Sequence, residues 1–166
     1  MTDARDFPAW RDHLLRTYRD APGSPAPAGR GVHHLAFICS DVEATIAFYR
    51  DVLGFPLVDV IENRDYPGST HFFLDIGHDN LLAFFDFPGL ELARAVEAHG
   101  AVQHLAISVD QDHLEQVRAR LDQSGVGYLG PDRGLTDSIY VADPDGIQIE
   151  LLAQPLRRMD GRTLGT

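Results

Sequence analysis

An internal repeat is the feature that most constrains how this 166-residue chain can fold. Residues 32–37 (Val-His-His-Leu-Ala-Phe) are similar to residues 102–107 (Val-Gln-His-Leu-Ala-Ile), which lie 70 positions later. Residues 82–84 match residues 149–151 in the same way, at an offset of 67. A repeated supersecondary unit cannot bury its apolar face alone, so neighbouring copies must share a core. The sequence therefore predicts two similar halves, neither of which could cover both faces of its sheet alone.

Both halves show the same order of predicted elements: a strand, a helix and three strands. In the first half, a strand over 32–39 precedes a helix that begins after Asp41, an N-cap residue type, and ends at Gly54. Strands follow over 57–62, 70–76 and 80–87, and a short helix over 91–99 connects the halves. The second half has strands over 102–109, 126–129, 138–142 and 148–152, with a helix over 112–123 that ends at Gly125. This pattern predicts an α+β fold of two tandem βαβββ modules.

The predicted modules form one domain over 32–153, with the first module at about 32–90 and the second at about 101–153. The preceding segment, 1–31, contains a helix predicted from the four-residue spacing of Trp10, Leu14 and Tyr18. A linker rich in proline and glycine, 21–31, follows that helix. The last segment, 154–166, is predicted to be a polar tail.

Composition excludes several classes of function. The chain has 14 basic and 25 acidic residues, and a net charge of -11 argues against nucleic acid or an anionic membrane as the main partner. Every basic residue is arginine, which rules out a lysine Schiff base. The single Cys39 excludes an intramolecular disulfide and a cysteine zinc cage. Without a long apolar run or a secretion signal in the sequence, a cytoplasmic location is expected.

Eight histidines are a high count for this length, and strand alternation indicates which of them share a face. One face of each of three strands is apolar and is expected to lie under the helices. The other face carries one potential metal ligand per strand: His34, His104 and Glu150. A single histidine in a strand is commonly an ordinary structural residue, but three ligand-type side chains at matching positions of a repeat favour a metal site. Two imidazoles and one carboxylate form a facial set that leaves positions open for substrate and oxygen.

Two neighbouring residues are predicted to be structural. His33 alternates to the face opposite His34 if the first strand is regular. Cys39 alternates onto the helix-packed face, so it is expected to be a small buried residue rather than a nucleophile.

The chain resembles the vicinal oxygen chelate superfamily, which includes glyoxalase I, extradiol ring-cleaving dioxygenases, fosfomycin-resistance metalloenzymes and bleomycin-binding proteins. The resemblance rests on residues 34–37, on Asp41 with 48–55, and on 143–146 leading to 149–151, which together span nearly all of 32–152. It implies a cup-shaped mixed sheet built from two βαβββ modules around one metal site. It implies no single reaction, because members change chemistry while keeping the fold.

Three comparisons within the superfamily discriminate among reactions. Glyoxalase I enzymes usually supply a fourth ligand, a glutamate, where this chain has Ala83. Fosfomycin-modifying enzymes usually add a potassium loop and several basic contacts, where the loop 130–137 offers only Arg133. Bleomycin-binding members generally lack the metal ligands. The resemblance therefore favours an enzyme similar to the extradiol dioxygenases. A glyoxalase-type lyase, isomerase or epimerase acting through a metal-bound enediolate is one alternative, and a non-catalytic antibiotic-binding or resistance protein is another.

The same resemblance implies two catalytic residues. His71 resembles the acid–base histidine of extradiol enzymes, and a histidine is suited to moving protons near neutral pH. Tyr140 resembles the tyrosine that hydrogen-bonds substrate oxygen in those enzymes. The resemblance further implies a homodimer and one divalent ion per chain, with Fe(II) favoured and Mn(II), Zn(II) or Ni(II) as alternatives. An aromatic stripe on the third and fourth strands predicts an apolar or aromatic small-molecule substrate: Phe73, Leu81, Ala83, Phe85 and Phe87.

Overall fold

The computed structural model of the chain describes residues 6–23, 25–26, 28–132 and 137–153. The predicted polar tail (154–166) and Arg133 lie outside these residues. The chain divides into two compact units, Met1–Gly31 and Val32–Thr166. The second unit contains every candidate site residue.

The first unit contains helix α1 (Phe7–Leu14), which continues as a wider, π-helical turn over Leu15–Arg19. The carboxylate of Asp6 caps α1 by accepting a hydrogen bond from the backbone N–H of Ala9. Pro8 lies in the first turn, where its missing N–H costs no helical hydrogen bond. The predicted leading helix is confirmed. Within the ranges that the structure describes, no helix is both long enough and apolar enough to cross a membrane.

The described part of the second unit contains two further helices, and an aspartate caps the start of each. Helix α2 (Val42–Ala47) is prolonged by a π-helical turn over Phe48–Val52, and helix α3 spans Gln111–Ser124. Asp41 accepts a hydrogen bond from the backbone N–H of Ala44, and Asp110 accepts one from that of His113. Gly125 then ends α3 in the left-handed conformation, with φ at 70°. The predicted caps at Asp41 and Gly125 are confirmed.

Among the residues that the structure describes, eight strands form two four-stranded mixed sheets with the same topology. The first sheet has the order β1-β4-β3-β2 and contains β1 (His34–Ile38), β2 (Leu57–Glu62), β3 (Thr70–Asp75) and β4 (Leu81–Phe85). The second has the order β5-β8-β7-β6 and contains β5 (Leu105–Val109), β6 (Tyr128–Asp132), β7 (Asp137–Ala142) and β8 (Gln148–Ala153). In each sheet the first and last strands of the module pair in parallel and the other pairs are antiparallel. The predicted α+β fold of tandem βαβββ modules is confirmed.

Strand register places equivalent residues of the two modules in equivalent surroundings. Ala36 lies opposite Ala83 in the first sheet, and Ala106 lies opposite Glu150 in the second. Ala83 and Glu150 are therefore structural equivalents, as the offset of 67 in the sequence predicts.

The helix-packed faces of both sheets share one hydrophobic core. That core combines sheet residues of both modules with residues of α3 and of the π-helical turn that follows α2, among them Phe72, Leu82, Phe84, Ile107, Ile139, Leu151, Tyr49, Leu114 and Val117. Each large apolar side chain buried there contributes about 1.5–3 kcal/mol relative to an exposed one. The opposite faces, which carry the candidate ligands, lie outside this core.

Polar contacts also link the first module to the second. The hydroxyl of Tyr49 donates to Asp143 Oδ2 across 3.1 Å, and the guanidinium of Arg120 donates to the carbonyl of Val52 across 2.7 Å. His113 Nε2 lies 2.8 Å from the carbonyl oxygen of Leu53. The end of the π-helical turn that follows α2 is thus held by side chains of α3.

The helix predicted over 91–99 is wrong, because this segment has no regular secondary structure. Its apolar side chains have nothing to pack against: Leu92 is 55% exposed and Val96 is 75% exposed. A helix of this length is marginal in water unless an apolar face is buried. The segment is instead fixed by polar contacts, such as the hydrogen bond from Arg94 to the carbonyl of Pro144.

Candidate metal site

Two of the three predicted ligands meet on the second sheet. Glu150 lies on β8 between Ala106 of β5 and Tyr140 of β7, and is only 7% exposed. His104 directly precedes β5 and reaches over the same face. Its Nε2 atom lies 3.1 Å from Glu150 Oε2. The parallel pairing of β5 with β8 therefore brings an imidazole and a carboxylate together, as the sequence predicts.

Two hydroxyl groups hold the other oxygen of the Glu150 carboxylate. Ser138 Oγ donates to Glu150 Oε1 across 2.7 Å, and Tyr140 Oη donates to the same atom across 2.9 Å. Because Oε1 is held by both donors, Oε2 is the oxygen presented to His104. In the structure the hydroxyl of Tyr140 orients Glu150. Its predicted contact with a substrate oxygen stays a prediction. Ser138 is a site residue that strand alternation alone did not reveal.

The second ring nitrogen of His104 also has a partner. Nδ1 contacts the amide oxygen of Gln103, an acceptor, so Nδ1 is the protonated nitrogen of the neutral ring and Nε2 is the atom that faces Glu150 Oε2. Two acceptor atoms that face each other at 3.1 Å require a proton or a cation between them. An imidazole nitrogen with a carboxylate oxygen is a donor set that suits divalent transition metals. The residues present therefore fit a divalent ion.

His34 lies on the exposed face of β1 in the first sheet. Its Nδ1 atom is 2.9 Å from Nδ1 of His33, and the two rings meet edge to face. The prediction that His33 points away from His34 is wrong for its ring. The physical reason is that alternation gives only the direction in which a side chain leaves the backbone, whereas the His33 ring extends back to the neighbouring His34 ring at the start of β1.

His71 lies on β3, in register with Phe85 of β4, and therefore shares the face of β1 that carries His34. Its ring stacks on Phe85 at a centroid distance of 3.8 Å and lies 4.3 Å from Phe73. Burial, and secondly repulsion from His34, lowers the pKa of His71 below its ordinary value. Its Nε2 atom is buried and has no hydrogen-bond partner among the residues described. A neutral imidazole with an unused nitrogen in aromatic surroundings is equipped to move a proton.

The three predicted ligands do not meet within one chain. Across residues 6–132 and 137–153, apart from the undescribed positions 24 and 27, no three His, Cys, Asp or Glu side chains are placed to hold an ion together. His104 and Glu150 form a two-ligand half-site on the second sheet, whereas His34 forms a one-ligand half-site on the first. Both half-sites are on faces directed away from the shared core.

Fold and site together define a class: paired βαβββ modules that carry histidine and glutamate ligands on the open faces of their sheets. Residues 31–151 match the sequence pattern of the Glyoxalase/Bleomycin resistance protein/Dioxygenase superfamily. The chain belongs to this superfamily, which confirms the resemblance read from the sequence.

Relatives with different activities are similar to this chain. Metallothiol transferase FosB of Staphylococcus epidermidis is 33% identical over 72% of this chain and 79% of its own length. Lactoylglutathione lyase of Salmonella typhimurium is 31% identical over 72% of this chain and 89% of its own length. Among solved structures, a mutant of the fosfomycin resistance protein FosX from Listeria monocytogenes has a similar fold. It was solved with Mn(II) and dihydroxypropylphosphonic acid, and the match covers 76% of this chain and 94% of the FosX chain. Its TM-score is 0.55 at 20% identity, so that likeness concerns the fold alone.

Proposed function

We propose that this chain is a divalent-metal-dependent enzyme whose substrate binds the ion through two neighbouring oxygen atoms. The ligands are His34, His104 and Glu150. The observation that carries the proposal is the pair His104 Nε2 and Glu150 Oε2, which lie 3.1 Å apart while the remaining polar atom of each side chain is held by a neighbour. When bound, a divalent ion supplies Lewis-acid polarisation of the substrate oxygens. That relatives of this chain are named as a metallothiol transferase and a lyase supports an enzymatic role.

The leading reaction is an extradiol-dioxygenase-like cleavage of an aromatic substrate with vicinal oxygens, with molecular oxygen as co-substrate. Phe73 and Phe85 supply a flat apolar wall beside His71, which suits an aromatic ring. His71 accepts a proton from the substrate hydroxyl, because its lowered pKa keeps the ring neutral at neutral pH. Fe(II) is the favoured ion at one per chain, since a two-histidine, one-carboxylate set is typical of non-haem iron oxygenases.

A second candidate is a glyoxalase-type lyase or isomerase, which uses Zn(II), Ni(II) or Mn(II) without oxygen. The match to lactoylglutathione lyase over 89% of that enzyme's length favours it. Against it stands Ala83, which is fully buried at the position equivalent to Glu150 and has no atom that could bind a metal.

The proposed site is shared between two copies of the chain in a homodimer. Each copy brings a His34 half-site and a His104–Glu150 half-site that do not meet within it. In a two-fold symmetric pair, each His34 faces the His104–Glu150 pair of the other copy, so that two equivalent sites form. Apolar side chains flank the half-sites in each copy: Val32 is 54% exposed, Ile38 is 52% exposed and Val102 is 62% exposed. An interface between copies would cover such side chains.

Metal uptake tests the proposed site directly. We expect elemental analysis and calorimetry with Fe(II), Mn(II), Zn(II) or Ni(II) to give about one ion per chain for the wild-type protein. Glu150→Ala is expected to abolish stoichiometric binding because it removes the only carboxylate of the set. Glu91→Ala, which changes an exposed glutamate in the irregular segment, is the matched control and should bind like wild type. Absence of uptake by the wild-type protein would overturn the proposed function.

Oxygen dependence separates the two reactions. The Fe(II)-loaded protein is expected to consume oxygen with catechol-type substrates and to lose this activity in the His71→Ala variant. Turnover of a hemithioacetal or an epimerisable substrate under anaerobic conditions, with no oxygen uptake on any vicinal diol, would instead establish the lyase or isomerase.

A further inference from the structure

A chain of polar contacts runs from Glu97 through Gln103 to His104 and reaches Glu150. We propose that Gln103 is a positioning residue that fixes the tautomer and orientation of His104, so that Nε2 is the nitrogen presented to the ion. This inference rests on the proposed metal site and adds a residue that neither strand alternation nor the resemblance to relatives identified.

Glu97 determines the direction of the Gln103 amide. Gln103 Nε2 donates to Glu97 Oε1 across 3.3 Å, and an ionised carboxylate can only accept. The amide oxygen of Gln103 must therefore be the atom directed at His104, where it contacts Nδ1. An acceptor at Nδ1 favours the tautomer with the proton on that nitrogen. The lone pair of Nε2 is then available on the side of Glu150 Oε2, 3.1 Å away.

The first module repeats this arrangement with a different side chain. His33 precedes His34 as Gln103 precedes His104, 70 positions later in the sequence. His33 Nδ1 lies 2.9 Å from His34 Nδ1, so the same ring nitrogen of the candidate ligand is occupied by the residue directly before it. In both modules Nε2 is the ring nitrogen that has no contact with the preceding residue. Two unrelated side chains, His33 and Gln103, thus contact Nδ1 of the histidine that follows them. This repetition argues that the contact serves the histidine ligands rather than local packing.

The magnitude expected from Gln103 follows from the behaviour of ligand histidines in general. A hydrogen bond to the nitrogen that does not bind the metal fixes the ring and raises the basicity of the other nitrogen, and its loss typically costs 10- to 100-fold in metal affinity. Gln103→Leu keeps a side chain of similar size but removes the acceptor. We expect its dissociation constant for the ion to rise roughly 10- to 100-fold while the ion still binds, because His104 and Glu150 remain.

A reciprocal exchange distinguishes positioning from packing. The double variant Glu97→Gln with Gln103→Glu keeps a donor–acceptor pair at these positions and keeps an acceptor for His104 Nδ1. Its metal affinity should lie within a few-fold of wild type, whereas Gln103→Leu alone should be weakened. Gln116→Leu, on the exposed side of α3, is the matched control for the same substitution away from the site and should leave affinity unchanged.

Nitrogen-15 chemical shifts of the His104 ring in the metal-free protein provide a readout that a structural role would not move. Wild type should show the proton on Nδ1, and Gln103→Leu should show a mixture of tautomers. If wild type binds the ion but Gln103→Leu keeps both its affinity and its tautomer, the inference fails while the proposed function stands. If wild type binds no ion, the proposed function fails and the inference fails with it. If Gln103→Leu and the exchange variant are weakened equally, packing rather than positioning is the role of Gln103.

Discussion

Burial sets the chemistry of Cys39, the only thiol in the chain. The residue follows β1 on the side of the shared core and is 3% exposed, as strand alternation predicts. Burial raises the pKa of this thiol from its ordinary value to about 11. Because the thiolate is the reactive form, Cys39 is a packing residue in the folded protein rather than a nucleophile.

A thiol reagent tests this directly. At pH 8 a thiol with a pKa of about 11 has roughly 0.1% of its population as thiolate, and burial also blocks access. We expect Ellman's reagent to label Cys39 orders of magnitude more slowly in the native protein than in urea. Native labelling at the rate of a free peptide thiol would contradict the buried position.

Residue-level prediction from sequence succeeds where a regular strand enforces alternation. Glu150 and His71 lie on the predicted faces because β8 and β3 extend on both sides of them. Gln103 and His33 were missed or misassigned because alternation gives only the face from which a side chain leaves, whereas both side chains contact the ligand directly next to them in the chain. The hydrogen bond from Ser138 to Glu150 depends on the register between β7 and β8. A single sequence does not show which residues of two strands lie opposite each other.

At the scale of elements, Gly54 follows the π-helical turn that prolongs α2 and lies against side chains of α3. Its φ is +84°, and a Cβ placed there would lie 2.9 Å from Arg120 Nη2 and 3.0 Å from His113 Cε1. The same two side chains contact the carbonyls of Val52 and Leu53 that end the preceding turn. A side chain at position 54 would therefore strain the backbone and displace the contacts that hold α2 to α3.

We expect Gly54→Ala to lower the free energy of unfolding by about 1–3 kcal/mol from backbone strain, with an additional loss from the displaced contacts. Gly68→Ala is the matched control, because Gly68 has the same φ of +84° and nothing lies within 4 Å of its Cβ position. Urea unfolding of both variants isolates the contact contribution as their difference. Equal losses would show that Arg120 and His113 adjust without cost.

Element prediction was most accurate where an apolar face and a cap agree. The sequence predicts helix α3 over 112–123, and the helix spans Gln111–Ser124. Its apolar residues Leu114, Val117 and Leu121 are all buried, and Asp110 and Gly125 cap its two ends. The segment 91–99 has helix-favouring composition but no buried face, and it stays irregular. Tertiary packing, which the local sequence does not encode, decides between these outcomes.

At the scale of the whole molecule, the shared core accounts for the separation of the proposed ligands within one chain. Both sheets place their apolar faces in one core, so their ligand faces are directed away from it. The resemblance to the superfamily implies one cup around a metal, and strand alternation identifies the two faces that would form such a cup. The sequence does not reveal that these two ligand-bearing faces lie apart within one chain. Strand alternation assigns residues to the faces of one sheet, but it carries no information about the placement of one sheet relative to another.

Mixing two inactive variants tests the shared site. His34→Ala removes the ligand of one half-site, and Glu150→Ala removes a ligand of the other. In a mixed dimer, one of the two sites carries both defects, while the other combines an intact His34 with an intact His104–Glu150 pair. Random re-association makes half of the dimers mixed, so about one quarter of the wild-type metal sites should return, although neither variant alone has any.

The fraction of metal sites that is regained on mixing distinguishes a site shared between two copies from a site formed within one chain. A site formed within one chain gives no recovery at any mixing ratio, because each variant lacks a ligand in every copy. A shared site gives recovery that is greatest at equal amounts and falls symmetrically on either side. A sample combining Glu150→Ala with His104→Ala is the control, since both substitutions damage the same half-site and every site in the mixture lacks a ligand. Recovery in that control would show that His104 and Glu150 do not belong to one half-site, and would contradict the 3.1 Å contact on which the proposal rests.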